Sequence, residues 1–405
     1  MRERFMLWEN PKDAIITLMV LLMGIGCINV FSASFVTAEA MTGNQYHFLI
    51  RYIGYAAAGL AVFWFTGFKL NYKRLMSPRF YMVIAVVTIL LLAATLGIGT
   101  VVNGSRRWIY IGGFSLQASE IAKVSVILMA ASYLGDRLQR GLKVSLLGYP
   151  SNQALLIALA FAGLIFLQPD MGTATIVFSL MLGMYFLAGI PMRQVTYIGL
   201  IGIAIGALAL MAPYRRARFA LWLNPWKDAQ GGGYQMAQSL TAIGSGGLTG
   251  LPWGQGSGKF FFLPEAHTDF AFAIFCQEWG YVGALFLIAC FLILARALFC
   301  IAMNTKDRKG YLLVAGSTLF LIGQSAANIA MVTGVLPVIG VPLLFISYGG
   351  TSLLANMFAL GLVVSVYRSE CAREIMEERI AAGLPPVEEG RLRVVSSGRS
   401  GRPFR

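Results

Sequence analysis

Glu265, His267 and Asp269 lie within four positions of one another in FFFLPEAHTDFAFAIFCQEWG, the stretch from Phe260 to Gly280. Carboxylates and imidazoles are side chains that move protons in catalysis, and three of them between a phenylalanine run and an apolar segment indicate a functional site. A structural role competes. Asp269 falls at the first turn of the helix that the apolar segment predicts, where the helix dipole favours a carboxylate. Thr268, however, is already available there as a cap. His47 is the only other histidine, so the chain offers neither a histidine-rich metal site nor a Ser-His-Asp triad.

The elements that must position these residues are membrane helices. Of 405 residues, 57% are hydrophobic and only 12% charged, with a mean hydropathy of +0.70, which is too apolar to cover a soluble globule. Runs of about 20 apolar residues, the length that crosses a hydrocarbon core, recur along the chain. They predict an all-α polytopic integral membrane protein of about ten transmembrane helices, roughly at 14–36, 47–66, 80–98, 119–134, 152–168, 171–190, 195–213, 269–295, 311–332 and 343–366.

Lys and Arg concentrate in alternate connections, beginning with Arg2, Arg4 and Lys12 and continuing through Lys69, Lys73, Arg74 and Arg79 to Lys306, Arg308 and Lys309. This bias places both termini in the cytoplasm. Residues 1–13 are then a cytoplasmic N-terminus, 14–366 the helical domain, and 367–405 a basic cytoplasmic tail that is partly disordered. The same bias accounts for most of the formal net charge of +14 and points to lipid headgroups rather than nucleic acid. The first apolar run is too long for the core of a signal peptide, and the five cysteines show no spacing that suggests a disulfide or zinc.

The large outward loop between spans seven and eight runs from about 214 to 268, longer than loops without function usually are. Arg215, Arg216 and Arg218 stand there on the side where positive charge is sparse. An anionic ligand explains them, and so does snorkelling toward lipid headgroups. Further on, GGGYQMAQSLTAIGSGGLTG predicts an interfacial or re-entrant helix from Tyr234 to Ile243, bracketed by glycine clusters that read as hinges. A second outward loop, TVVNGSRRWIYIGGFSLQASEIAKV, carries Arg106, Arg107, Trp108 and Tyr110. It leads to Glu120 and Lys123, three residues apart on one face of the fourth span, either as structural glue or as part of a wet cavity. Asp170 in QPDMGTA suits an N-cap, and Ser347, Tyr348, Thr351 and Ser352 suit close helix packing.

Five blocks, NGSRRWIYIGGFSLQASEIAK, QPDMGTA, YRRARFALWLNPWKDAQGGGYQMAQSLTAIGSGGLTG, FFFLPEAHTDFAFAIFCQEWGYVGA and VPLLFISYGGTSLLANM, together resemble the SEDS family of shape, elongation, division and sporulation proteins. They occur in the family's order, and the resemblance covers the chain from about residue 14 to 366. The resemblance implies a ten-helix peptidoglycan glycosyltransferase that polymerises lipid II, partnered by a class B penicillin-binding protein that cross-links the strands. YRRAR, LNPWKD and KFFFLPEAHTDF are more similar to the division branch than to the elongation branch. An extra proline and tryptophan in TGLPWGQGSGK, and Ala271 where a larger aliphatic residue is common, depart from the pattern and bear on loop conformation.

The resemblance further implies that Asp269, in the HTD element, is the catalytic acidic residue, as general base or metal ligand. Arg106, Trp108, Lys123, Arg215, Arg216 and His267 are then candidate substrate-binding residues, and Glu265 and Glu120 are candidates to hold a divalent cation, Mg or Mn. No nucleotide is expected, because undecaprenyl pyrophosphate is the leaving group. The implied location is the cytoplasmic membrane at the division septum, among other divisome proteins, with the active site on the extracytoplasmic side. A lipid II flippase and a scaffold for the transpeptidase are the competing readings. Titratable residues gathered at one rim, rather than at mid-membrane, favour the enzyme.

Overall fold

Polar caps and prolines set where the apolar stretches begin to coil. The computed structural model describes residues 5–384 apart from 103–104, 113, 147–151, 210, 212, 253 and 261. Asn10 caps α1 (Pro11–Thr42), its side chain accepting from the Asp13 amide, and Pro11 occupies the first turn, where its missing N–H costs nothing. There follow α2 (His47–Trp64), which continues as a π-helical turn to Lys69, the short α3 (Tyr72–Leu75) and α4 (Pro78–Ile98), capped by Ser77. Next come α5 (Ala118–Gln139), α6 (Gln153–Leu167), α7 (Met171–Leu187), α8 (Met192–Ala209), α9 (Pro213–Leu223) and α10 (Tyr234–Ser245). The chain finishes with α11 (Ala271–Asn304), α12 (Arg308–Val332), capped by Asp307, and α13 (Gly350–Ala381).

Among the described residues, seven helices (α1, α2, α4, α5, α11, α12 and α13) are long and apolar enough to cross a membrane. The apolar helices α6 and α7 are shorter, at 15 and 17 residues. The last long helix starts at Gly350 rather than at 343, because the preceding segment is held in turns: the Ser347 hydroxyl accepts from the Leu343 amide, and Phe345 sits at φ 62°. Burial sorts the helices. The most apolar window of α5 is 89% buried and that of α13 is 83%, against 28% for α2 and α4, so α5 and α13 form the centre and α2 and α4 face outward. Within this bundle α1 packs on α11, α2 on α13, and α5 on α12.

The chain is nearly all-helical, as expected, with one small addition. Strands β1 (Thr100–Val102), β2 (Ser105–Ile111) and β3 (Phe114–Leu116) form a small antiparallel sheet in the connection from α4 to α5. The segment SRRWIYI is rich in aromatic and β-branched residues and is bounded by glycines, which favours strand over helix once no membrane span is required of it.

The glycines after α10, read from the sequence as hinges, are here positions of close backbone contact. α11 is broken at Gly280, whose φ of 65° and ψ of −167° are non-helical. The chain after α10 enters the break: the Tyr281 and Val282 amides donate to the Gly247 and Leu248 carbonyls at 2.9 and 3.1 Å, and the Leu251 amide donates to the Gln277 carbonyl at 2.9 Å. A side chain at Gly250 would meet the Glu278 carbonyl oxygen at 2.1 Å, so only glycine lets the two backbones approach this closely. A buried charge fastens the same junction. Lys259, fully enclosed, pairs with Glu278 of α11 and donates to the Ser32 hydroxyl of α1 at 3.0 Å.

Replacing Gly280 by alanine forces a Cβ to within 2.3 Å of the Gly250 nitrogen at a left-handed φ. The expected loss is on the order of 3 kcal/mol, seen as a lowered Tm in detergent. Gly54→Ala, where a Cβ has nothing within 4 Å, should leave Tm essentially unchanged.

Candidate active site

The segment before α11 forms a tight turn rather than a helical cap. Glu265 adopts φ 54°, a left-handed conformation that costs a non-glycine residue energy, and its carbonyl accepts from the Thr268 and Phe270 amides, both at 3.2 Å. The Thr268 hydroxyl donates back to the Glu265 carboxylate at 2.8 Å. Helix α11 starts at Ala271 with no side-chain cap. Both capping roles considered for this segment are therefore overturned: Thr268 is bound to Glu265, and the turn frees the Asp269 carboxylate from the helix end.

Neighbouring elements hold that turn in place. Asn328 of α12 donates to the Asp269 carbonyl at 2.8 Å and to the Val341 carbonyl at 2.6 Å, and Asn29 of α1 donates to the Ala271 carbonyl at 3.1 Å. The Tyr348 amide donates to the His267 carbonyl at 2.8 Å. Phe48 of α2 packs on both rings, 4.5 Å from His267 and 5.2 Å from Tyr348 between centroids. The half-buried Asp269 carboxylate lies beside Gly340, where an added Cβ would stand 3.4 Å from Oδ2. No hydrogen bond to this carboxylate is present among the described residues.

Charge converges on Asp269. Burial pushes its carboxyl up to about 7, reinforced by the carboxylates of Glu265, Asp170 and Glu120 and opposed by the Arg107 guanidinium. Burial lowers the His267 imidazole, with Glu265 acting against it, so the ring is neutral at physiological pH.

Asp170 caps α7 as the sequence suggested, accepting from the Thr173 amide and hydroxyl at 3.1 and 2.9 Å. It also stands 4.0 Å from Arg107 Nε, while Arg107 Nη2 donates to the Pro169 carbonyl at 2.5 Å. Adjacent strand residues point to opposite faces, and β2 sends Arg106 the other way, to the Leu96 and Gly97 carbonyls at the end of α4. Arg107, missed as a site residue from sequence, thus replaces Arg106 as the cation whose field acts on Asp269.

The remaining candidates are dispersed. Lys123, fully buried, donates to Glu120 at 2.7 Å and to Gln324 at 2.6 Å, an arrangement that ties α5 to α12. Glu120 still acts on Asp269 through its field, and its second oxygen is buried without a partner among the described residues. Asn328 Oδ1 and Arg107 Nε are orphaned in the same way around the turn. Trp108 is half-buried on β2. Arg216 is exposed on α9, and among the described residues no contact joins it to the turn, whereas the side chain of Arg215 lies outside the described residues. No group of three His, Cys, Asp or Glu able to hold a metal ion occurs among the described residues.

Comparison with known proteins places this geometry. The family of cell cycle proteins comprising FtsW, RodA and SpoVE matches residues 12–371. Stage V sporulation protein E of Bacillus subtilis is 36% identical over 360 residues, covering 89% of this chain and 97% of the relative. The probable peptidoglycan glycosyltransferase FtsW of Coxiella burnetii is 38% identical over 357 residues, covering 86% and 94%. Among solved structures, a chain from work on the structural coordination of polymerization and crosslinking by a peptidoglycan synthase complex superposes with a TM-score of 0.71 at 28% identity, covering 88% and 97%. RodA of Thermus thermophilus gives 0.64 at 26% identity, covering 88% and 96%.

The field of Arg107 supports the ionised form of Asp269, so Arg107→Gln should raise the Asp269 midpoint above about 7, and Glu265→Gln should lower it. Infrared difference titration of the side-chain carboxyl reads both shifts. Movement in the same direction for the two variants would contradict the arrangement.

Proposed function

The chain belongs to the FtsW, RodA and SpoVE family of cell cycle proteins, and from that premise we propose how it works. It is a multi-pass membrane protein and a peptidoglycan glycosyltransferase, the activity for which curated relatives covering most of its length are named. Its substrate is lipid II, its site opens at the extracytoplasmic rim, and its role lies in division, as the FtsW names of its relatives favour. A class B penicillin-binding protein is its partner. The solved relative from a peptidoglycan synthase complex that couples polymerization to crosslinking supports that assignment.

The observation that carries the mechanism is a half-buried carboxylate with a midpoint of about 7 and no hydrogen-bond partner among the described residues. Such a group is ionised in a useful fraction at neutral pH and basic enough to take a proton. Asp269 accepts the proton of the sugar 4-hydroxyl on the acceptor as that oxygen bonds to the anomeric carbon of the donor. The bond from that carbon to the lipid diphosphate breaks in the same step, and the departing diphosphate gathers negative charge. Arg107, fixed by Asp170 and the Pro169 carbonyl, is a cation positioned to meet it. Neutral His267 meets the substrate by hydrogen bonding rather than by charge.

The carboxylates at the turn support one arrangement for a divalent cation. Magnesium commonly takes one or two carboxylates and completes its shell with phosphate oxygens and water. Asp269 and Glu265 supply such a pair at the turn, whereas Glu120 is bound to Lys123 inside the bundle. Held there, such a cation would supply positive charge against the leaving diphosphate.

Asp269→Asn should abolish glycan polymer from lipid II, with the partner present and Mn or Mg supplied. Because the folded carboxyl titrates above its ordinary value, its ionisation weakens the fold as pH rises from about 4 through about 7. The variant should therefore be at least as heat-stable as the native protein at pH 8, which separates lost chemistry from misfolding. Native turnover should climb between pH 6 and 8, with a midpoint of about 7. Polymer formation by the variant at the native rate would remove Asp269 from the reaction.

A further inference from the structure

Most cations at the Asp269 end of the bundle are already engaged. Arg107 faces Asp170, Arg106 is held by two carbonyls, and Lys123 and Lys259 are paired with Glu120 and Glu278. Arg51, half-buried on α2, is different: no carboxylate pairs with it among the described residues. Taking a guanidinium partly out of water without a counter-charge is unfavourable, so its placement calls for a ligand.

The helix aims Arg51 at the site. One turn before it, Phe48 packs on His267 and Tyr348, and one turn after it, the Tyr55 hydroxyl accepts from the Ser115 amide of β3 at 3.0 Å. Residues three and four apart share a helix face, so Arg51 lies on the face that meets the catalytic turn. There its guanidinium meets the Tyr348 hydroxyl. The His267 and Tyr348 rings are 5.8 Å apart, and the Tyr348 amide is bonded to the His267 carbonyl, so these two side chains that face Arg51 sit on a connected backbone framework. A planar fork of N–H donors beside a phenol and an imidazole, at the end of an apolar helix, is suited to the oxygens of a phosphate group carried by a lipid.

We propose that Arg51, Tyr348 and His267 form a second anion subsite, distinct from Arg107, which holds the diphosphate of a lipid-linked sugar. This rests on the glycosyltransferase reading, in which two lipid-linked units meet at Asp269 and each brings a diphosphate to the membrane rim. Arg107 takes the diphosphate that departs, and Arg51 retains the other through the step.

Binding tests the subsite without requiring polymerisation. The full-length protein carrying Asp269→Asn, in phosphatidylcholine nanodiscs, is titrated with a long-chain polyprenyl diphosphate. A parallel series adds a ten-fold excess of phosphatidylglycerol. Arg51→Gln should weaken binding about ten-fold or more, Arg51→Lys should recover part of the loss, and Tyr348→Phe should cost less than Arg51→Gln, all with unchanged Tm. Phosphatidylglycerol should displace little of the probe. Unaltered affinity in Arg51→Gln would overturn the proposal. Equal competition by phosphatidylglycerol would also overturn it, making Arg51 a headgroup anchor. A fall in Tm with no recovery in Arg51→Lys would make the residue structural. Failure of the glycosyltransferase reading appears elsewhere, as absence of polymer from the native protein.

Discussion

The join between the chain after α10 and the break in α11 governs where everything at the Asp269 end can sit. Breaking a membrane helix exposes backbone donors and acceptors that lipid cannot satisfy, so another piece of backbone must supply partners. The Gly247, Leu248 and Leu251 hydrogen bonds do so, and the approach is close enough that Gly250 and Gly280 cannot carry side chains. The Lys259 and Glu278 pair adds a buried charge contact that is poor as net stabilisation but costly to break. Together they fix the long connection to the bundle immediately before the turn that bears Glu265, His267 and Asp269.

That rigidity allows the turn itself to be strained. Glu265 in a left-handed conformation and an Asp269 carboxylate with no hydrogen-bond partner among the described residues would each relax in a mobile loop. Here Asn29, Asn328 and Tyr348 anchor the surrounding backbone from three different elements. The same enclosure raises the carboxyl toward neutrality, and Arg107 keeps it from rising further. Position and proton affinity are thus set by one packing arrangement, which suits a single carboxylate to the base role proposed for Asp269.

Within the sequence, the hydrophobic runs already dictated a helical membrane bundle, because about 20 apolar residues without charge have no other stable environment. The HTD element and its neighbours marked the reactive turn, and the ordered blocks marked the family, since charged residues between apolar segments persist only for a reason. The α10 helix between its glycine clusters was legible for the same cause, amphipathic spacing. The choice between Arg106 and Arg107 was not, because it depends on a strand in a loop that read as irregular, and strand alternation then decides which arginine faces Asp170. Arg51 was equally hidden: it is one cation in an apolar helix until α2 is laid against the 340–348 segment. Glycines 247 and 250 read as hinges because flexibility is a local property of the residue, whereas close backbone contact exists only once α11 is broken beside them. Local periodicity and composition are fixed by the chain itself; the pairing of charges and the proton affinity of Asp269 depend on groups far apart in sequence, which only tertiary packing brings within a few ångströms.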